Sequence, residues 1–254
     1  MGTGHAHALY VHGHSRIHRL APETKVAAAF TFVVAVAITP REAAWAFAVY
    51  AISLVAVLKV SDVPPRFVVA RLPAILPFVA FAFLIPFIAS GERIDVAGVA
   101  LSKEGLWATW NIVAKATLGA TTSIILVATT EVPDILRGMG VLRVPRAFVS
   151  IAAFMMRYLE LVVDELKRMR MAMEARGYDP RWLWQVKPIA ASAGALFVRS
   201  YERGERVHAA MASRGFTGTM PVLTERQTPS GDWLVASALP ALAVVVAVAA
   251  LVAT

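Results

Sequence analysis

The 254-residue sequence contains no cysteine, which excludes disulfides, catalytic thiols, cysteine-ligated zinc and iron–sulfur clusters. Charged residues are also scarce: they make up 17% of the chain, whereas ordinary soluble proteins have about 25%. Hydrophobic residues make up 58%, and the mean hydropathy is +0.63. A soluble domain of this size would have too few charges to cover so much apolar surface. The composition therefore predicts an integral membrane protein.

Acidic residues are fewer than basic ones, with 17 Asp and Glu against 25 Lys and Arg, which gives a net charge of +8. In a membrane protein this excess is expected on the cytoplasmic side, so no nucleic-acid partner is predicted. A cytoplasmic N-terminus puts most basic residues of the short connections inside. Those inside are Arg16, Arg19, Lys25, Lys59, Arg66 and Arg71, and those outside are Arg41, Arg93 and Lys103.

Five apolar stretches predict an all-α, polytopic fold of about five transmembrane helices. The first two are shorter than the roughly 20 residues that cross a bilayer, so they must borrow flanking residues or thin the membrane. The fourth is interrupted only by Lys115. The stretches are 26–39, 43–58, 72–89, 106–129 and 234–252.

The predicted organisation has four parts. A cytoplasmic, His-rich segment (1–25) precedes transmembrane helices 1 to 4 (26–129). A membrane-to-cytoplasm domain with two long helices (130–232) follows, and the last transmembrane helix (233–254) ends the chain. The first 25 residues lack the apolar core of a signal peptide, so the mature chain is expected to start near Met1.

Two long helices are predicted within 130–232. The chain has no Gly or Pro between Pro145 and Gly177, and a second helical run extends from Pro188 to Gly215. The first helix begins apolar and becomes amphipathic, as expected for a helix that leaves the membrane. Packing between the two helices is assigned to an apolar face of each one. The residues assigned to this packing are Met169, Met173, Tyr201, His208 and Met211.

Both helices end in the same pattern of Met, any residue, a small residue, Arg, Gly and an aromatic residue. The endings are MEARGY at 173–178 and MASRGF at 211–216. One copy alone is an ordinary helix terminus with a glycine cap. A second copy, with the same small and aromatic neighbours, favours two exposed arginines that dock into two equivalent sites on a partner, because Arg offers a planar fork of donors.

These motifs resemble the transmembrane T component of energy-coupling factor transporters, which are ABC-type importers of micronutrients. The similarity extends over residues 13–254 and is most specific in the cytoplasmic half. The N-terminal stretch resembles the cobalt/nickel, CbiQ-type branch in particular. The matching stretches are GHSRIHRLAPETK (13–25), TEVPDIL (130–136), LRVP (142–145), RSYERGERV (199–207) and the two Arg-Gly endings.

The resemblance implies a non-catalytic subunit that binds no cofactor, with ATP and Mg²⁺ bound by two partner ABC-type ATPases. It also implies a separate substrate-binding membrane subunit and, as an optional further partner, a small accessory membrane subunit. The implied location is the cell membrane, with the N-terminus and the coupling domain in the cytoplasm. Carried over by motif, the residues that contact the ATPases are Ala175, Arg176, Gly177, Ser213, Arg214 and Gly215.

Two polar features have open interpretations. The N-terminal histidines either bind a transition metal or form a flexible tail, and no metal site is assigned to them. Lys115 either pairs with backbone carbonyls, Asn111 or a partner subunit at mid-depth, or extends to the membrane surface. The histidines are His5, His7, His12, His14 and His18.

Alternative functions are a stand-alone channel or transporter for a small cation, and a general coupling subunit for vitamin import. An enzyme is disfavoured because the sequence has no HExxH-like pair or facing acid/base residues. A channel usually carries polar residues along its spans, and here only Lys115 and a few Thr residues qualify.

Overall fold

The structure is a computed structural model that describes residues 10–13, 15–89, 92–96, 99–179, 187–216, 218 and 229–253. The chain divides into two compact units. We call residues 6–142 and 227–254 the bundle unit, and residues 143–226, to which residues 1–5 are assigned, the two-helix unit. Nearly all regular structure is helical, which confirms the all-α prediction for a polytopic membrane protein.

The bundle unit contains eight α-helices, one 3₁₀ turn and one β-hairpin among its described residues. The two-helix unit contains two α-helices among its own. In chain order the elements are α1 (Arg16–Arg19), α2 (Pro22–Ile38), α3 (Ala44–Val60), α4 (Pro65–Val69), the 3₁₀ turn (Leu72–Ile75), α5 (Leu76–Ile88), β1 (Arg93–Val96), β2 (Val99–Ser102), α6 (Lys103–Thr129), α7 (Val132–Val141), α8 (Arg146–Ala175), α9 (Lys187–Ala212) and α10 (Ser230–Ala253).

All five predicted apolar stretches form helices. Within the part of the chain that the structure describes, three segments are long and apolar enough to cross a membrane: Pro65–Ile88, Lys103–Thr129 and Ser230–Ala253. Helices α2 and α3 have 17 residues each, a rise of about 26 Å, so they fall short of a 30 Å hydrocarbon core. This length agrees with the expectation that the first two spans borrow flanking residues. The number of spans and their boundaries stay a prediction.

Helices α2, α3, α6 and α10 surround the core of the bundle unit. Alanines occupy much of the contact between α2, α3 and α10, and small residues let helix backbones approach closely in a membrane. The fully buried Tyr50 hydroxyl lies 2.9 Å from Thr39 Oγ1 and donates to the Ala243 carbonyl at 3.2 Å. A buried phenol needs such partners, so this group links the end of α2 to α3 and α10.

Polar contacts fix the N-terminal end of α2. Ala21 N–H donates to Asp232 Oδ2 at 3.1 Å, and the buried Lys25 Nζ donates to the Thr129 carbonyl at 2.9 Å. These bonds join α2 to the start of α10 and to the end of α6. Helix α7 packs against the same end of α2, because Gly138 has no side chain to hold the backbones apart.

Lys115 has a partner within the chain. Its Nζ donates to the Ala37 carbonyl at 2.8 Å. Ala37 lies in the last turn of α2, where carbonyls lack helical partners and the helix dipole favours a cation. Asn111 does not fill this role, since its Oδ1 is buried without a hydrogen-bond partner among the described residues. Of the alternatives raised by the sequence, the structure therefore shows the backbone carbonyl.

The β-hairpin was not expected from the sequence. Strands β1 and β2 pair antiparallel, with Arg93 opposite Ser102 and Val96 opposite Val99. The Ser102 side chain then accepts a hydrogen bond from Gly105 N–H at 3.3 Å and caps α6. The short hairpin thus leads directly into the longest apolar helix of the bundle unit.

Gly105 is expected to be indispensable for the contact between α5 and α6. An added Cβ at this position would lie 2.6 Å from Pro86 Cα, which is backbone that cannot move aside cheaply. We predict that Gly105→Ala lowers the free energy of unfolding by about 1–3 kcal/mol through overpacking. Thermal unfolding of the detergent-purified chain measures this change.

Gly119→Ala is the matched control on the same helix, because a Cβ there would meet nothing within 4 Å. It is expected to leave stability within about 1 kcal/mol of the wild type or to raise it. Equal unfolding temperatures for the two variants would contradict the close approach of α5 and α6.

Candidate functional site

The two-helix unit contains α8 and α9, with 30 and 26 residues. Their lengths correspond to about 45 Å and 39 Å of helix. The prediction of two long helices in this part of the chain is confirmed. Helix α8 runs without a break from its apolar first half into its charged second half, because no Gly or Pro interrupts it.

Contacts between α8 and α9 show that the helices run antiparallel. Ser192 Oγ donates to Met173 Sδ at 3.4 Å near the end of α8. Glu165, further back on α8, accepts a hydrogen bond from Arg199, further along α9. The C-terminal ends of the two helices therefore lie at opposite ends of the unit.

A groove of about 380 Å³, the two-helix groove, runs between the helices. Its lining is mainly apolar, and it includes Phe154 and Tyr158 of α8 and Val207 and Met211 of α9. Glu165 and Arg199 line it together with Arg203. The ion pair between Glu165 and Arg199 adds one specific polar contact to the apolar contacts between the helices.

Glu165 links the two helices electrostatically. Its two carboxylate oxygens pair with Arg168 of the same helix, at 2.7 Å, and with Arg199 of the other helix. Hydrogen bonds from these two guanidinium groups hold the pKa of the Glu165 carboxyl below its ordinary range. The sequence analysis missed this pair, because charges on the exposed faces of two separate helices carry no signal of which ones meet.

The two repeated endings form the same helix cap. Gly177 and Gly215 have positive φ angles of 80° and 83°. In the first ending Tyr178 N–H donates to the Met173 carbonyl at 3.1 Å, and Gly177 N–H donates to the Glu174 carbonyl at 3.0 Å. Phe216 N–H and Gly215 N–H make the equivalent bonds to the Met211 and Ala212 carbonyls, each at 3.0 Å. Both endings are therefore Schellman motifs with matching positions.

The cap accounts for part of the repeat. The motif requires a residue with positive φ, which glycine adopts most easily, and it commonly includes an apolar contact between the residues that hold the Met and aromatic positions here. The aromatic residue after each Gly is therefore part of the cap and is not by itself evidence for docking. Capping does not explain an Arg after a small residue in both copies.

The residues assigned to ATPase contact are all exposed. Ala175, Arg176 and Gly177 form the open end of α8, and Ser213, Arg214 and Gly215 form the open end of α9. Within the part of the chain that the structure describes, neither guanidinium group of Arg176 and Arg214 has a hydrogen bond or ion pair. Each helix thus presents an unpaired cation at its tip. Their role as contact residues stays a prediction.

The structure brings together some of the residues assigned to packing. Met173 contacts Ser192, and His208 and Met211 line the two-helix groove. Tyr201 does not take part: it is 61% exposed and absent from the groove lining. Met169 is half-buried. Leu196, Ser200 and Val207 of α9 also line the groove, so the contact face contains His208 and Met211 together with residues next to the predicted positions, whereas Tyr201 lies outside it.

The described N-terminal histidines show no metal site. His18 Nδ1 lies 2.7 Å from Ser15 Oγ, and His18 Nε2 lies 3.0 Å from the Val11 carbonyl, so both ring nitrogens already have hydrogen-bond partners. Among the described residues no group of three His, Asp or Glu side chains is placed to hold a metal. His5, His7 and His14 lie outside the described residues.

Comparison with known proteins identifies the family. The sequence model of the family described as "CbiQ: Cobalt transport protein" matches residues 13–226, which include both helices and both Arg-Gly endings. The chain belongs to this family.

Named relatives of this CbiQ-family chain come from several bacteria. The cobalt transport protein CbiQ of Rhodobacter capsulatus is 29% identical over 172 residues, which is 65% of this chain and 69% of that protein. The energy-coupling factor transporter transmembrane protein EcfT of Bacillus subtilis is 25% identical over 223 residues, 82% of this chain and 83% of that protein. The nickel permease LarQ of Lactiplantibacillus plantarum is 31% identical over 109 residues, 43% of this chain and 40% of that protein.

Coverage of the relatives varies. The chain spans 59% of the uncharacterized protein MJ1089 of Methanocaldococcus jannaschii, to which it is 27% identical. These names support a transport protein of the membrane.

The Glu165 pair is expected to give the two-helix unit a specific pH dependence. Because the folded-state pKa of Glu165 is lowered, its contribution to stability is complete above the unfolded-state pKa of about 4.3 and disappears as the pH falls through the folded-state pKa. We predict that Glu165→Gln unfolds at a lower temperature than the wild type at neutral pH. The two unfolding temperatures should converge in acid.

Glu205→Gln is the control, since Glu205 is an exposed acid of α9 with no ion pair among the described residues. It is expected to follow the wild type at every pH. A difference between Glu165→Gln and the wild type that does not change with pH would contradict the ion-pair account.

Proposed function

We propose that this chain is the energy-coupling transmembrane subunit of an ABC-type importer of cobalt or nickel ions. In this role it transmits ATP binding and hydrolysis by two partner ATPases to a separate substrate-binding membrane subunit. It catalyses no reaction itself. Family membership shows that the chain is a membrane transport protein. The proposal adds which part of a transport complex it forms.

The observation that carries the proposal is the pair of identical, exposed helix ends. Each end presents an Arg that has no partner among the described residues, at the same position of the same cap, and the antiparallel arrangement separates the two ends by on the order of 35 Å of helix. Two copies of one motif suit two copies of one partner. A pair of ATPase subunits supplies such equivalent sites, and Arg176 and Arg214 would each bind carboxylate or backbone oxygens there.

The arrangement also suits the transmission of movement. A long helix such as α8 is stiff along its axis, and a groove lined by apolar side chains lets two helices change their crossing without breaking many specific contacts. Methionines at this boundary, including Met173 and Met211, repack at low cost because their side chains are unbranched and polarizable. The Glu165 pair holds one arrangement between movements.

The proposed substrate class is supported by the family description and by the names of relatives. The family description and two relatives name cobalt, and another relative is a nickel permease. A coupling subunit for vitamin import is the second candidate, because several relatives are named only as energy-coupling factor proteins.

Partners and location belong to the same proposal. A relative from Methanocorpusculum labreanum is named a fused cobalt transport protein CbiMQ, which favours a second membrane subunit beside this chain. A small accessory membrane subunit is a further candidate partner. The proposed location is the cell membrane, with the N-terminus and both Arg-bearing ends in the cytoplasm, where the excess of basic residues is expected.

The double variant Arg176→Ala/Arg214→Ala tests the proposal. Because each substitution removes the donor fork from one helix end, uptake of cobalt and nickel by cells that express the complete transporter should fall to background. Expression and membrane insertion should not change, since both side chains are exposed and neither pairs with any residue that the structure describes. Metal accumulation is measured by mass spectrometry, and membrane insertion by immunoblot of the membrane fraction.

The control is Arg170→Ala/Arg206→Ala, which removes the same charge from the same two helices. These side chains pair with Glu174 and Glu202 within their own helices. Uptake by this control should remain near the wild-type rate. Normal metal uptake by Arg176→Ala/Arg214→Ala would contradict the assigned roles, and uptake of a vitamin in place of the metals would favour the second candidate.

A further inference from the structure

A second groove, which we call the bundle groove, opens on the surface of the bundle unit with a volume of about 460 Å³. Buried residues, among them Leu54, Ile125 and Ala236, form its base. Exposed residues, among them Val60 and Val235, form its rim. The groove extends along α3 from Ser53 to Val60, a length of about 10 Å.

The occupant of the bundle groove must be apolar, because the polar groups in its lining already have partners. Ser53 and Thr122 donate their hydroxyl hydrogens to carbonyls of their own helices, each at 2.8 Å. Thr129 does the same at 2.8 Å, and Lys25 donates to the Thr129 carbonyl. No hydroxyl is left to select a polar ligand along the base.

Basic residues surround one end of the bundle groove. Helix α1 turns Ile17 towards the groove and exposes Arg16 and Arg19, and Lys59 is exposed next to the rim residue Val60. The carboxylates near this end are Glu23, Asp62, Asp134 and Asp232. Asp134, which acts on the groove-lining Lys25, is paired with Arg137 at 3.1 Å, and Glu23 is buried. Asp232 already accepts a hydrogen bond from Ala21 N–H. The end of an otherwise apolar groove is therefore positively charged.

We infer that the bundle groove binds one acyl chain of an anionic phospholipid, whose headgroup lies against Arg16, Arg19 and Lys59. An apolar channel with a cationic end matches the chemistry of such a lipid, and basic residues at a membrane surface attract anionic headgroups. A partner helix is the other possible occupant, but its apolar face would not need the cationic end of the groove.

Native mass spectrometry of the full-length chain tests this inference. The chain is purified in detergent and equilibrated with an equimolar mixture of phosphatidylglycerol and phosphatidylcholine of equal acyl length. The mass of the chain with its bound lipid is then measured. We expect one retained phosphatidylglycerol, preferred at least about fivefold over phosphatidylcholine. Retention of neither lipid, or of both equally, would overturn the inference.

Two variants separate the apolar and the charged contributions. Ala56→Phe fills the groove from α3 and should abolish retention, whereas Ala48→Phe, at an exposed position of α3 outside the lining, should keep it. Arg16→Gln/Arg19→Gln should keep a lipid but lose the preference for phosphatidylglycerol. Unchanged retention by Ala56→Phe would contradict the assignment. Ala238→Phe, which fills the groove from α10, replaces Ala56→Phe if that variant does not elute as a single species.

A cysteine placed at position 56 identifies the other possible occupant. The natural chain has no cysteine, so Ala56→Cys gives one unique cross-linking point. In the purified transport complex this residue should react with a lipid-soluble maleimide and form no cross-link to another subunit. An efficient cross-link to a partner helix would overturn the lipid assignment.

Discussion

Two left-handed glycines determine what the two-helix unit presents to a partner. With φ angles of 80° and 83°, Gly177 and Gly215 stop α8 and α9 and turn the chain away from the helix axis. A side chain with a Cβ is strained in this conformation, at a cost of about 1–2 kcal/mol. The cap leaves Arg176 and Arg214 at the helix tips, each with an unpaired guanidinium group among the described residues. The stiff helices can hold the two arginines at a fixed separation only because each helix ends at a definite residue.

The extent to which the sequence predicts the structure differs between local and long-range features. The lengths of α8 and α9 could be predicted because helix ends are local events, set here by glycine and proline. The two tips could be recognised because a repeated motif can be read without knowing the fold. The full contact face of α9 could not be predicted, since the spacing of Tyr201, His208 and Met211 satisfies one helical face, yet only His208 and Met211 line the groove. Tyr201 lies on the exposed side of α9, although its spacing alone predicts a contact with α8.

Similar limits apply to the bundle unit. The apolar stretches predicted its helices, yet nothing in the sequence indicated that Lys115 meets the carbonyl of Ala37, which lies 78 positions earlier. The hydrogen bond offsets the free-energy cost of placing a cation in an apolar helix, because the end of α2 supplies an acceptor and a favourable dipole. The close approach of Gly105 to Pro86 is equally non-local. Such contacts depend on which helices become neighbours, and this is determined by the packing of the whole bundle and not by local sequence.

The most direct measurement is cross-linking from the two helix tips, with Ala175→Cys and Ser213→Cys introduced separately into the cysteine-free chain. In membranes that contain the complete transporter, each tip should cross-link to an ATPase subunit, and a chain with both cysteines should capture two ATPases. Tyr201→Cys, at an exposed position near the middle of α9 and away from both tips, is the control and should capture neither. Failure of both tips to cross-link to an ATPase in an active transporter would contradict the coupling role of Arg176 and Arg214.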